Sequence, residues 1–263
     1  MKSTKLYFLC LLIGSLLFLF SGCVSYPTSL NTNFQLAGKN NSELKKVIRH
    51  YSTHRADSLK RQAAIFLIGN VDAHVSYVSK SWDNFQVELD TLYKKENRSS
   101  ELIKGFNALY DKYANGLQNI TYVSDLQTVS AQFLIANIDQ AFQTWKSPYC
   151  HYLNFADFCE YILPYRVATE PISDWRAEFN NQFIPQLYAR LKERKDSLSA
   201  RNICNALKTY PYGTTIFFPA DMPDFNVHTL SVMRLGSCYY FSLQDALAAR
   251  CMGVPVAVDN TSQ

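Results

Sequence analysis

Residues 234–260 read RLGSCYYFSLQDALAARCMGVPVAVDN, and the reading of this stretch decides the fold. A turn of small residues, Gly236-Ser237, hands the chain to Cys238. The Ser237 hydroxyl can accept a hydrogen bond from an exposed backbone N–H in the first turn of a helix. Leu243 and Leu247 then fall on one helical face with Ala246 and Ala249 beside it. Gly253 suits the left-handed residue that closes a helix, and Pro255 cannot continue one. The pattern predicts a helix over 237–252 and a strand over 254–258. Cys238 sits in the first turn, where the partial positive charge of a helix end favours thiolate over thiol. Free backbone N–H groups there suit a developing oxyanion, and Gly236 lets another backbone approach. The residues alone fit two roles for Cys238: a nucleophile, or a buried structural thiol in an apolar helix.

Gly236-Ser237-Cys238-Tyr239-Tyr240-Phe241-Ser242, Arg250 and Gly253-Val254-Pro255-Val256 resemble the transglutaminase-like pattern G-x-C-x-x-aromatic-small followed by R-x-x-G-[IV]-P. The resemblance implies a papain-like α+β fold, with the cysteine opening a central helix packed on a sheet. It implies Cys238 as nucleophile, then a His and an Asp later in the chain, and acyl transfer or amide hydrolysis on a protein or peptide substrate. No cofactor is expected, and with no third ligand evident and no CxxC element no metal is expected either. Upstream, FADFCEYILPYRVATEPISDWRAEF (155–179) resembles the segment before this domain in lipoproteins of Bacteroidetes-type bacteria. All five histidines precede Cys238. The expectation is therefore a domain truncated before its His and Asp, inactive as given and catalytic at full length. The rival expectation is a non-enzymatic binding or scaffold lipoprotein that keeps a degenerate core of this type.

The N-terminus points to the compartment. Lys2 and Lys5 precede an apolar run over 6–20, and Ser21-Gly22-Cys23 follows. A charged start, a short apolar run and small residues describe a secretory signal. The run is shorter than the ~20 residues of a membrane span. Leu19-Phe20-Ser21-Gly22-Cys23 resembles a bacterial lipobox, which implies lipid on Cys23 and a protein anchored to a membrane at the cell envelope. Seven cysteines less Cys10 and Cys23 leave five, an odd number, so one thiol stays free unless chains pair. With 48% hydrophobic residues a sizeable core is expected. The net charge of +4 is scattered without a basic, aromatic-interleaved run, which disfavours nucleic acid.

The expected organisation is a signal over 1–22, a tether over 23–42, a helical region over 43–147 and the transglutaminase-like domain over 148–263. Leu44, Val47, Ile48 and Tyr51 mark one helix. Phe85, Leu89, Leu92 and Tyr93 mark another, as do Phe133, Leu134, Ile138, Ala141, Phe142 and Trp145. Asn154 reads as a cap, and Phe179, Phe183, Leu187 and Leu191 mark a helix kinked at Pro185. Residues 214–218 read as a short strand. Arg166, Trp175 and Tyr239 are candidates for a substrate cleft. Arg166 and Glu170 equally suit an internal pair, and Trp175 a packing anchor. His228 is the upstream imidazole nearest in sequence to Cys238. His50 and His54, four apart, suit either a metal or a solvated helix face.

Overall fold

The computed structural model describes residues 28–258, apart from 73, 118, 148, 149, 151, 212, 220 and 221. Cys23, where lipid is expected, His151 and Asp259 lie outside the described residues. The class is α+β, with helices dominating. In chain order the elements are α1 (Thr28–Leu36), α2 (Asn41–His50), α3 (Ser58–Gly69), β1 (Val75–Val78), α4 (Lys80–Lys95), α5 (Ser99–Leu117) and β2 (Thr121–Ser124). There follow α6 (Ala131–Trp145), α7 (Phe155–Tyr161), α8 (Trp175–Gln182), α9 (Ile184–Glu193), α10 (Ala200–Lys208), β3 (Thr214–Thr215), α11 (Val227–Ser231), β4 (Leu235–Gly236) and α12 (Cys238–Cys251). No helix among the described residues is long and apolar enough to cross a membrane.

Two differences from the sequence reading stand out at the ends. Part of the expected tether is helix: α1 buries Leu30 and Phe34, and buried Asn33 donates to the carbonyls of Ile68 (2.8 Å) and Gly69 (3.2 Å), joining α1 to α3. Residues 254–258 form no strand. The Val254 N–H is spent closing α12, donating to the Ala249 carbonyl at 2.9 Å, and the Val256 carbonyl accepts from Arg250. Elsewhere periodicity served well. Leu44, Val47 and Ile48 are buried on α2, Phe85, Leu89 and Tyr93 on α4, and Leu134, Ile138, Ala141 and Phe142 on α6. Asn154 caps α7 by accepting from the Asp157 N–H at 2.9 Å. The helix expected to kink at Pro185 is two helices, α8 and α9, which meet at Phe183 with the proline in the first turn of the second, where its missing N–H costs nothing.

The buried side chains form two cores, and the chain passes between them more than once. The first core joins α1, α2, α3, α6 and α7, with Trp145 stacked on Phe158 at 4.5 Å. The second joins the helical pair α4–α5 to α8 through α12, with Trp82 stacked on Phe85 at 4.8 Å and tilted onto Phe225 at 4.9 Å. The expected boundary at residue 148 thus does not coincide with the division between cores. β1 and β2 pair antiparallel, from Val75 opposite Ser124 to Val78 opposite Thr121. Next to them lies a buried polar seam. Asp125, wholly buried, accepts from Arg166 Nη2 at 2.8 Å, Tyr165 Oη at 3.0 Å and Ser76 Oγ at 2.8 Å.

Candidate functional site

The turn before Cys238 is held from three sides. β3 and β4 pair in parallel, Thr214 opposite Leu235 and Thr215 opposite Gly236, and the Ile216 N–H donates to the Gly236 carbonyl at 3.0 Å. Gly213 has to be glycine: a Cβ there would stand 1.6 Å from the Arg234 carbonyl oxygen. Arg234 Nη1 in turn donates to the carbonyls of Tyr93 (2.9 Å) and Glu96 (2.7 Å), tying the turn to the end of α4.

The helix then starts and stops as the sequence predicts. Ser237 is extended (φ −86°, ψ 170°), and its hydroxyl accepts from the Tyr240 N–H at 3.5 Å. Cys238 is the first residue of α12 and is exposed. Gly253 closes the helix in the left-handed region, at φ 72°. Leu243 and Leu247 are wholly buried. Ser242, Asp245, Ala246 and Ala249 line a cleft of about 480 Å³, whose other walls are Cys204, Leu207 and Lys208 of α10 and residues 254–258. Cys238 lies four and seven residues before Ser242 and Asp245, so it stands on the same helical face, one turn beyond the cleft.

Asp245 is the unexpected member of that face. Burial pushes its carboxyl up to about 6, and its Oδ1 has no hydrogen-bond partner among the described residues. A carboxyl raised in the fold favours folding while it is protonated, below about pH 4, and that advantage is lost as pH rises through about 6. Asp245→Asn is therefore expected to raise stability at pH 7.5 by about 1–2 kcal/mol, a figure already reduced for its partial exposure. The gain should vanish near pH 4. Thermal melts at both pH values check this, and an equal change at both would exclude the linkage. An acid seven residues after the cysteine, on an otherwise small-residue face, was the signal that could have singled it out.

The other candidate residues are placed elsewhere. Arg166 is buried and pairs with Asp125 rather than with the Glu170 carboxylate, which accepts from the Val167 and Ala168 N–H groups at 2.8 Å each. Trp175 is 1% exposed, with Nε1 donating to the Tyr165 carbonyl at 2.9 Å. Both are core residues, and neither lines the cleft. Tyr239 is half-buried against Tyr240, and burial with the nearby Asp224 carboxylate raises its hydroxyl pKa. Arg250, the motif arginine, is buried and donates to the carbonyls of Arg166 and Val256. His228 Nδ1 hydrogen-bonds Glu178 Oε1 at 2.8 Å, and its Nε2 faces Asp90 Oδ2 at 3.6 Å. His74 Nδ1 lies 3.2 Å from Tyr165 Oη. α2 ends at His50, so His50 and His54 do not share a helix. Among the described residues no imidazole is hydrogen-bonded to Cys238, and no three potential ligands converge on a metal position.

The thiols fall into two groups. Cys150 and Cys159 are buried and pushed up to about 11 and about 12, and Cys251 is pushed up to about 12, in each case by desolvation. Cys204 and Cys238 are exposed, and all five described cysteines are free. What the arrangement offers chemically is one accessible thiol at a helix start beside a cleft. Compared with family models, curated proteins and solved structures, the chain matches none.

Proposed function

We propose that this is a lipid-anchored envelope protein whose transglutaminase-like part uses Cys238 as the nucleophile of acyl transfer or amide hydrolysis on protein or peptide substrates. One observation carries the reading: the thiol is exposed as the first residue of a capped helix, in line with a cleft on the same face. A thiolate needs access and nearby backbone N–H groups for the oxyanion, and this position supplies both. The anchor and the envelope location rest on the signal and Cys23 in the sequence. A second reading, a scaffold that keeps α12 as core, is favoured by the engagement of His228 with Glu178 and Asp90.

The two are separated by offering the chain a peptide thioester at pH 8 and mapping the acylated cysteines by mass spectrometry. Cys238 is expected to acylate about two- to fivefold faster than Cys204, the ratio that ~0.3–1 kcal/mol of helix-end charge supplies. Cys204 is the matched control, exposed but inside α10, where backbone N–H groups are already used. Equal rates would remove the acyl-transfer reading and leave the scaffold. Maps of the membrane fraction should also show an acylated Cys23 as the first mature residue. A lipid-free N-terminus elsewhere would remove the anchor.

A further inference from the structure

We infer that the face formed by Lys39, Asn41, Ser42, Lys45 and Arg49 docks on an anionic lipid surface. Residues 28–50 carry four Lys and Arg side chains against a single acid, Glu43. That acid is already engaged: Lys46 hydrogen-bonds one oxygen, and the Ala131 N–H donates to the other at 3.0 Å. Lys39, Lys45 and Arg49 are exposed and have no carboxylate partner among the described residues. They line one surface depression of about 550 Å³. Lys45 and Arg49 are one turn apart on α2, whose other side buries Leu44, Val47 and Ile48, so the two cations are fixed toward solvent. Lys39 joins them through the turn at Gly38, which sits at φ 54°. Like charges held together repel, and a surface of phosphate groups offsets that repulsion.

The choice of a membrane rests on the lipid attachment proposed at Cys23. Four residues lie between Cys23 and Thr28, and in any conformation the five steps from one to the other span at most about 18 Å. The start of α1 is thereby kept within about two Debye lengths of the leaflet at physiological salt. α2 packs on α1, so its basic face belongs to the part of the molecule nearest the lipid. An acyl anchor and a basic patch act together as two membrane signals.

The test uses the mature chain from residue 23 carrying Cys23→Ser, so that no acyl chain contributes. Co-sedimentation is measured with phosphatidylethanolamine vesicles containing or lacking 30% phosphatidylglycerol, at 50 and 300 mM salt. Binding is expected only with phosphatidylglycerol, falling at the higher salt. Lys39→Gln/Lys45→Gln/Arg49→Gln should weaken it about a hundredfold, since each basic residue at an anionic surface contributes several-fold. Lys95→Gln/Lys146→Gln/Lys192→Gln, the same charge removed from other exposed positions, should cost less than threefold. Equal losses in the two triple variants, or no phosphatidylglycerol dependence, would overturn the inference. So would displacement by 10 mM inorganic phosphate at constant ionic strength, which would mark a free-phosphate site. Failure of the anchor itself would show separately, in the N-terminal mass.

Discussion

Asp125→Ala is expected to lower stability by about 3–5 kcal/mol, the cost of leaving a buried charge without its partner. Asp125 is wholly buried and collects Arg166, Tyr165 and Ser76. Without the carboxylate, the Arg166 guanidinium is left buried with no ion-pair partner. At about 2–4 °C per kcal/mol for a chain of this size, the melting temperature should fall by about 6–20 °C. The effect should reach α12, since Arg250 donates to the Arg166 carbonyl and so hangs the end of that helix on the seam. Asp125→Leu with Arg166→Met should recover most of the loss, because removing both charges removes the desolvation cost as well. Circular-dichroism melts of the single and double variants decide it. A single variant within about 1 kcal/mol of the parent would mean that the seam is not charged as drawn.

The second large effect is on turnover. With an activated ester, Cys238 is expected to accept one acyl group and then stop, ahead of a slower single acylation at Cys204. With peptide amides, turnover is expected to be about ten-thousandfold or more below that of a complete triad. The reason is proton inventory: the leaving amine needs a proton, and the water that clears the acyl group must lose one. Among the described residues the imidazole of His228 is held by Glu178 and Asp90, and that of His74 by Tyr165. Nitrophenol burst phases and ammonia release would be followed for the parent and for Cys238→Ala, which should lose the faster phase and keep the slower one of Cys204. Repeated amide turnover that depends on Cys238 would show a base within this chain and defeat the expectation.

What could be read from the sequence was local. The bounds of α12, its serine cap and its glycine stop are written within seventeen residues, and the apolar faces of α2, α4 and α6 repeat at helical spacing. What could not be read depends on distant partners. The strands β1 and β2 are four residues each and lie more than forty residues apart in sequence, with two helices between them rather than a tight turn. In sequence Arg166 suits Glu170, four residues away, but its ion-pair partner Asp125 is 41 residues away. α1 buries a polar residue, Asn33, whose carbonyl partners belong to the end of α3, so its periodicity is masked. Residues 254–258 have strand-like composition, yet a strand is made by its neighbour, and here the backbone is engaged by the helix it leaves.

During synthesis α4 and α5 leave the ribosome long before their neighbours exist. They cover one another in part, but the aromatic face carrying Trp82, Phe85 and Phe106 is completed by α8 through α12. The last of those helices ends at Cys251, some 130 residues after α5. At about 5–20 residues per second the wait is roughly 7–26 s. For that time the nascent chain presents a sticky hairpin to whatever surrounds it, while the other core can close earlier, once α7 has emerged. A chain diluted out of denaturant has every helix available at once and escapes this delay. Poor yield on expression and clean refolding in a test tube are thus compatible outcomes of one sequence, set by the order in which its helices are made.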